Sequence, residues 1–214
     1  MKMHLARLGI VFLLGGALGG CALANVASEP APQLFMLTAG HPNVTGDAVA
    51  PRTQILIDEF SAIAAVDTAR IVFQPNPNEL KYYAASRWTD RAPKMIQTLT
   101  IQTLQNSARF ASVAARGSDI RGDFILAGEI RQFAAEEKGE AVSVRVDLFT
   151  RLIRADDRSI AAAQDFSVSV PVTGSGIASV VAAYDAALRQ TLSEIMLWTL
   201  AETARSAPVA QNKK

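Results

Sequence analysis

The chain has 214 residues, half of them hydrophobic, and a formal net charge of +1. That length supports one domain with its own hydrophobic core. Arg and Lys are scattered rather than gathered into a basic stripe, so nucleic acid is not an expected partner.

The first twenty residues differ from the rest. Lys2, His4 and Arg7 form a basic start, Leu8 to Leu18 is almost wholly apolar or Gly, and Gly19-Gly20 lead into Cys21. This order predicts a secretory signal peptide over residues 1–20. The apolar run is shorter than the roughly 20 residues that span a bilayer. Loss of Lys2 and Arg7 on cleavage takes the net charge from +1 to −1. Cys21 is the only cysteine, so no internal disulfide can form and an exported thiol needs another role. Leu18-Gly19-Gly20-Cys21 resembles a bacterial lipobox, which implies a covalent lipid such as palmitate on Cys21. Several acyl chains on one residue hold a protein firmly, where a single chain binds marginally. Ala22, rather than Asp, follows the cysteine. In enterobacterial-type lipoproteins that pattern implies the outer membrane, facing the periplasm.

Residues 21–33, with Pro30 and Pro32, read as a tether. Leu34 to Leu37 reads as a short strand and His41 to Pro51 as a loop. Ile55 to Ile57 predicts a strand, and Phe60 to Val66 an apolar stretch with a bend at Asp67. Arg70 to Gln74 and Leu80 to Ala84 predict a hairpin around Pro75-Asn76-Pro77-Asn78. Ala92, Ile96, Leu99 and Thr103 recur at helical spacing, which predicts a helix from about Asp90 to Ala108, capped by Thr89 or Asp90. Phe110 to Ala114 reads as a short strand. Phe124, Leu126 and Ile130 share one strand face. Val142, Val144, Val146, Leu148 and Leu152 alternate with polar residues, as do Phe166, Val168 and Val170. With turns at Glu136 to Gly139 and at Asp156-Asp157, these three strands predict an antiparallel meander. Ile177, Val180, Val181, Tyr184, Leu188, Leu192 and Ile195 then mark a helical stripe running to about Ala204. The fold expected is α+β: a mostly antiparallel sheet covered by two amphipathic helices, in a single domain over residues 34–205 with a flexible tail at 206–214.

Catalytic chemistry is sparse. His41 is the one histidine left after cleavage, so a multi-His metal site is not expected. No Gly-x-Ser-x-Gly elbow and no phosphate loop occur. The paired carboxylates Asp156-Asp157 and Glu136-Glu137 fall in predicted turns. No catalytic residue and no cofactor beyond the lipid on Cys21 is expected, and the chain reads as a non-enzyme. The most distinctive internal stretch runs from Leu80 to Trp88. It holds Tyr82, Tyr83, Arg87 and Trp88, residue types enriched at interface hot spots, which makes these four the candidate partner-binding residues. Packing of Trp88 at the strand–helix junction is the competing structural reading.

The lipobox, the early strand with Phe35, the segment Tyr83 to Trp88 followed by Asp90, Pro93 and Met95, and the late meander with its closing helix stand in a familiar order. In that order the sequence resembles the ABC-type transport auxiliary lipoproteins, outer-membrane partners of MCE-domain lipid transporters. The resemblance covers nearly the whole mature chain. It implies a docking part whose MCE-domain partner forms a ring or tube for lipid, with the ATPase elsewhere, and it makes a homo-oligomer plausible. Two other readings stay open. One is an interaction lipoprotein of another envelope machine, such as an activator of cell-wall synthesis. The other is a lipid-binding carrier, with a hydrolase ranked below it. Cys21→Ala is expected to move the protein from the membrane fraction to the soluble periplasm; fractionation and immunoblotting check this, and an unchanged location would remove the lipid anchor.

Overall fold

The computed structural model describes residues 31–42 and 53–206. The signal sequence, Cys21, most of the tether, most of the first loop and the tail after Ser206 lie outside those residues.

One strand organises the sheet. β7 (Phe124–Lys138) is antiparallel to β8 (Ala141–Arg154) along its whole length, and β8 is antiparallel to β9 (Ile160–Pro171). The opposite edge of β7 is filled in relay by three strands, all parallel to it. These are β2 (Gln54–Ile57), β3 (Ser61–Ala62) and β4 (Arg70–Asn76). β4 is antiparallel to β5 (Glu79–Trp88), and β5 is parallel to the short β1 (Gln33–Phe35). β2 continues to β6 (Ser112–Ala115), again in parallel.

The meander and the Pro-Asn hairpin therefore stand where the sequence placed them, but the sheet is mixed rather than mostly antiparallel. The parallel pairs involve strands of two to seven residues plus β5 and β7, and strands that short carry too little alternation to reveal their direction.

Two helices pack on the sheet, α1 (Ala92–Asn106) and α2 (Ile177–Ser206). The expected cap of α1 is not used. Arg91 occupies that position without a side-chain bond. Instead the Ala92 N–H donates to the Thr68 carbonyl at 3.1 Å, while Asp90 accepts from the Arg91 N–H at 2.7 Å. A tertiary contact thus does the work of a cap. Buried Gln97 donates to the Ile57 carbonyl at 2.9 Å and fixes α1 to the end of β2. α2 buries Val180, Tyr184, Leu188, Leu192 and Ile195, the stripe expected from its spacing.

The inward row of β8 is Val144, Val146, Leu148, Thr150 and Leu152, all below 2 % exposed. On β7 the inward row changes parity. Arg131 is an extra residue between Ile130 and Gln132 in the ladder with β8. Leu126 and Ile130 point inward before this bulge, Phe133 and Ala135 after it.

Gly128 leaves a gap in that row, and Phe60 fills it. A Cβ on Gly128 would lie 2.1 Å from the Phe60 ring, which is itself 2 % exposed. Gly128→Ala is therefore expected to destabilise the fold by about 1–3 kcal/mol through overpacking. Denaturant unfolding of the purified protein measures this, and Gly139→Ala, at an exposed turn with no heavy atom within 4 Å, is the comparison for pure backbone strain.

Candidate functional site

The four sequence candidates lie on β5, and its backbone sends them to different places. The ladder with β4 pairs Arg70 with Arg87 but Val72 with Tyr82, so residues between them are extra. Ala85 absorbs the irregularity with φ 50°. Beyond it, Ser86 to Trp88 pair with β1. The Tyr pair and the Arg-Trp pair are thus on separate stretches of the same strand.

Trp88 is 2 % exposed and belongs to the core. Its ring meets Tyr184 edge-on at 5.1 Å and Phe133 at 6.1 Å, and Phe133 meets Tyr184 at 4.9 Å. Such tilted geometries set the positive ring edge against a negative face. The Tyr184 hydroxyl donates to the Val72 carbonyl at 2.6 Å, and burial holds its pKa well above the ordinary phenol range. Trp88 is thus packed in the core at the strand–helix junction and is not a surface contact residue. The signal that named its partners was partly present: Tyr184 sits in the predicted helical stripe. Phe133 was hidden by the parity change at Arg131.

Tyr82 is partly buried, and both its hydroxyl and its ring are engaged within the chain. Its hydroxyl donates to the Ala65 carbonyl at 3.2 Å, and the Arg70 guanidinium sits 3.6 Å over its ring. This cation–π contact engages the cation that stands opposite Arg87 in the ladder. Arg87 itself is exposed.

Tyr83 has a different setting. Its ring is 5.5 Å from Phe73, and it lines a pocket of about 490 Å³ with Val142 of the β7–β8 tip and Ile177 and Val180 of α2. Burial, and then the charge of Glu137, raises the Tyr83 pKa. The phenol is neutral at physiological pH, an amphipathic ring at the rim of an apolar recess.

A second groove, about 610 Å³, runs between the segment after β1 and α1. Met36, Met95 and Leu99 give its apolar part, and Thr38, Asp90, Thr98 and Gln102 its polar part. His41 lies on its rim. Sequence reasoning missed the tie that builds this groove. Asp185 of α2 accepts from the Thr38 N–H at 2.6 Å and from the Thr38 hydroxyl at 2.8 Å. Gly40 then enters between the helices, its N–H donating to Thr103 Oγ1 at 3.0 Å.

Asp156 and Asp157 line neither recess, whereas Glu137 lies near enough to Tyr83 for its charge to act there. Asp157 accepts from the Ser159 N–H at 2.9 Å, and hydrogen bonds from Ser159 hold its pKa below the usual range. Glu136 and Glu137 end β7 rather than forming the turn, which falls at Gly139 with φ 67°. Among the described residues no three His, Cys, Asp or Glu gather closely enough to hold a metal ion.

Comparison with known proteins places this arrangement. The fold matches protein XCC0632 of Xanthomonas campestris with a TM-score of 0.72 at 27 % identity, covering 81 % of this chain and 98 % of that one. Protein CT253 of Chlamydia trachomatis shares the fold at 10 % identity, with a TM-score of 0.53 over 72 % of this chain and 99 % of that one. Protein bll6063 of Bradyrhizobium diazoefficiens is 27 % identical over 87 % of this chain, which spans 50 % of that relative's length. The model of the ABC-type transport auxiliary lipoprotein component matches residues 35–196, from the end of β1 through most of α2, and the chain belongs to that family.

Proposed function

We propose that this protein is a non-enzymatic docking component of an ABC-type system that moves lipid between membranes, and that its direct partner is an MCE-domain protein. In this reading the lipid on Cys21 holds it to the outer membrane, facing the periplasm. The observation that carries the reading is the family match over residues 35–196, which spans the sheet and most of α2.

Three features support it. The start of the chain has the order of a lipoprotein signal, and no described helix is long and apolar enough to cross a membrane. A lipid anchor would then supply the membrane attachment. Of the paired carboxylates, Asp157 is engaged in its turn by the Ser159 N–H and Glu136 pairs with Lys138 at 3.2 Å. The recess at Tyr83 offers what a docking site needs: a half-buried aromatic beside an apolar floor, on a rigid strand next to a rigid helix. Tyr83 is therefore the first anchor in this reading. Arg87 is a rim contact, where a single charge contributes more to the rate of encounter than to affinity.

Crosslinking in native membranes, affinity purification and mass spectrometry test the proposal. Recovery of an MCE-domain protein together with its ATPase and permease is the expected result. Recovery of cell-wall enzymes, or of phospholipid alone, would overturn it. Tyr83→Ala is expected to lower the yield of the captured partner roughly tenfold while the protein stays folded. Trp88→Ala is expected to act through stability instead, at about 3–5 kcal/mol. Circular dichroism melts of both variants separate the two effects.

A further inference from the structure

The charged residues around the Tyr83 recess are either acidic or already neutralised. Its floor is apolar, with Val142, Val172, Ile177 and Val180, and Glu140 stands in its wall with Tyr83. The stretch from Phe166 to Tyr184, which ends β9 and begins α2, contains no charged residue. The acids come from the β7–β8 tip. Alternation along β7 turns Glu137 to the helix-covered face, opposite Val142 in the ladder. It turns Glu136 and Lys138 to the other face, where they pair with each other at 3.2 Å. The one cation of the tip is thereby kept away from the recess. On β5 the cation two residues before Tyr83 is Lys81, and Glu79 neutralises it at 2.8 Å.

Glu137 and Glu140 are both exposed, and among the described residues neither forms an ion pair. The charge of Glu137 reaches the Tyr83 phenol, where it adds to burial in raising the pKa. One opposing field comes from the start of α2, whose first turn holds no acid. A helix N-terminus amounts to about half a positive charge, so two full carboxylates outweigh it. The mouth of the recess is open, since a Cβ on Gly176 would meet no heavy atom within 4 Å. Its volume of about 490 Å³ is too small for a whole helix, at least ~10 Å across, and suits apolar side chains projecting from a partner.

We propose that the recess receives a basic, amphipathic segment of the partner protein. A large apolar side chain enters beside Val142 and Ile177, and a Lys or Arg next to it meets Glu137 and Glu140. The inference rests on the docking reading above and adds the chemistry of the segment that docks. Apolar burial holds the segment, while the exposed carboxylates speed and orient its arrival. A phospholipid fits less well, because an ammonium headgroup would bring its own phosphodiester against the same two carboxylates. An acidic segment is refused for the same reason.

The test places p-benzoylphenylalanine at position 141, an exposed residue of the recess wall, which leaves Tyr83, Glu137 and Glu140 intact. Cells carrying this full-length lipoprotein are irradiated, and the joined peptide is sequenced by mass spectrometry. The expected peptide is joined at or beside a large apolar residue, with Lys or Arg within about four residues and no acid as close. Glu137→Lys with Glu140→Lys is expected to lower the yield of that adduct roughly tenfold, and Glu137→Gln with Glu140→Gln by less. Lys138→Gln, on the other face, is expected to leave the yield unchanged. Circular dichroism melts check that each variant is folded, and if the double Lys variant melts early the Gln pair decides.

The parent of the joined peptide and its composition answer separate questions. A basic, apolar peptide from a protein without an MCE domain would support this inference and overturn the MCE-domain partner. An acidic or uncharged peptide from an MCE-domain protein would overturn this inference alone. A lipid adduct, no adduct at position 141, or a yield indifferent to the charge of the tip would overturn it as well.

Discussion

β7 has 15 residues and two hydrogen-bonding edges, and the rest of the sheet follows from how those edges are filled. One edge is satisfied by a single long antiparallel neighbour. The other must be satisfied by pieces, because buried N–H and C=O groups without partners are costly. β2, β3 and β4 divide that edge among them. The three follow one another in the direction of β7, so the chain must return only after β4, before β7 itself begins. The hairpin of β4 and β5 and then the helix α1 are the elements of that return. The aromatic cluster of Trp88, Phe133 and Tyr184 sits where the last of them begins, joining β5, β7 and α2 at one point.

This explains which parts of the fold could be read from the sequence. β8 and β9 are long, and one face of each is buried, so period-two alternation names their inward residues directly. α2 has its stripe for the same reason at period 3.6. β3 has two residues and β6 four, and no alternation can develop over that length. Their direction depends on which stretch of β7 is still unpaired, a property of the assembled sheet and not of the local chain. The bulge at Arg131 was similarly hidden. Its effect is to move Phe133 into the row where Ile130 had been, and only the pairing with β8 reveals it.

The candidate site was legible as a segment but not residue by residue. Tyr82, Tyr83, Arg87 and Trp88 have the composition of an interface, yet composition does not say which way each points. The irregularity at Ala85 decides that. It separates the Tyr pair from the Trp. Trp88 then falls into the core beside Tyr184, where its large apolar area is worth most. Tyr82 is occupied by Arg70 and by the Ala65 carbonyl. Only Tyr83 is left beside a recess, because the β7–β8 tip and the first turns of α2 stop short of covering it. Those elements are distant in sequence, so nothing local to Tyr83 could have shown it. The Thr38–Asp185 tie has the same character, since its partners are 147 residues apart.

That tie also bears on how an anchored protein carries load. In the proposed reading a membrane pulls on the chain through residues 21–33, and the pull enters the fold at β1. β1 has three residues and lies parallel to Ser86–Trp88. Behind them, Thr38 is bonded through both its N–H and its hydroxyl to the Asp185 carboxylate, a charge-assisted contact stronger than a neutral one. Gly40 is wedged farther on, with its N–H on Thr103 and its carbonyl accepting from Asn106 at 3.1 Å. A Cβ there would come within 2.8 Å of Ser193 Oγ, so only glycine enters this closely between α1 and α2. The first ten described residues are thus fixed to β5, α2 and α1 in turn.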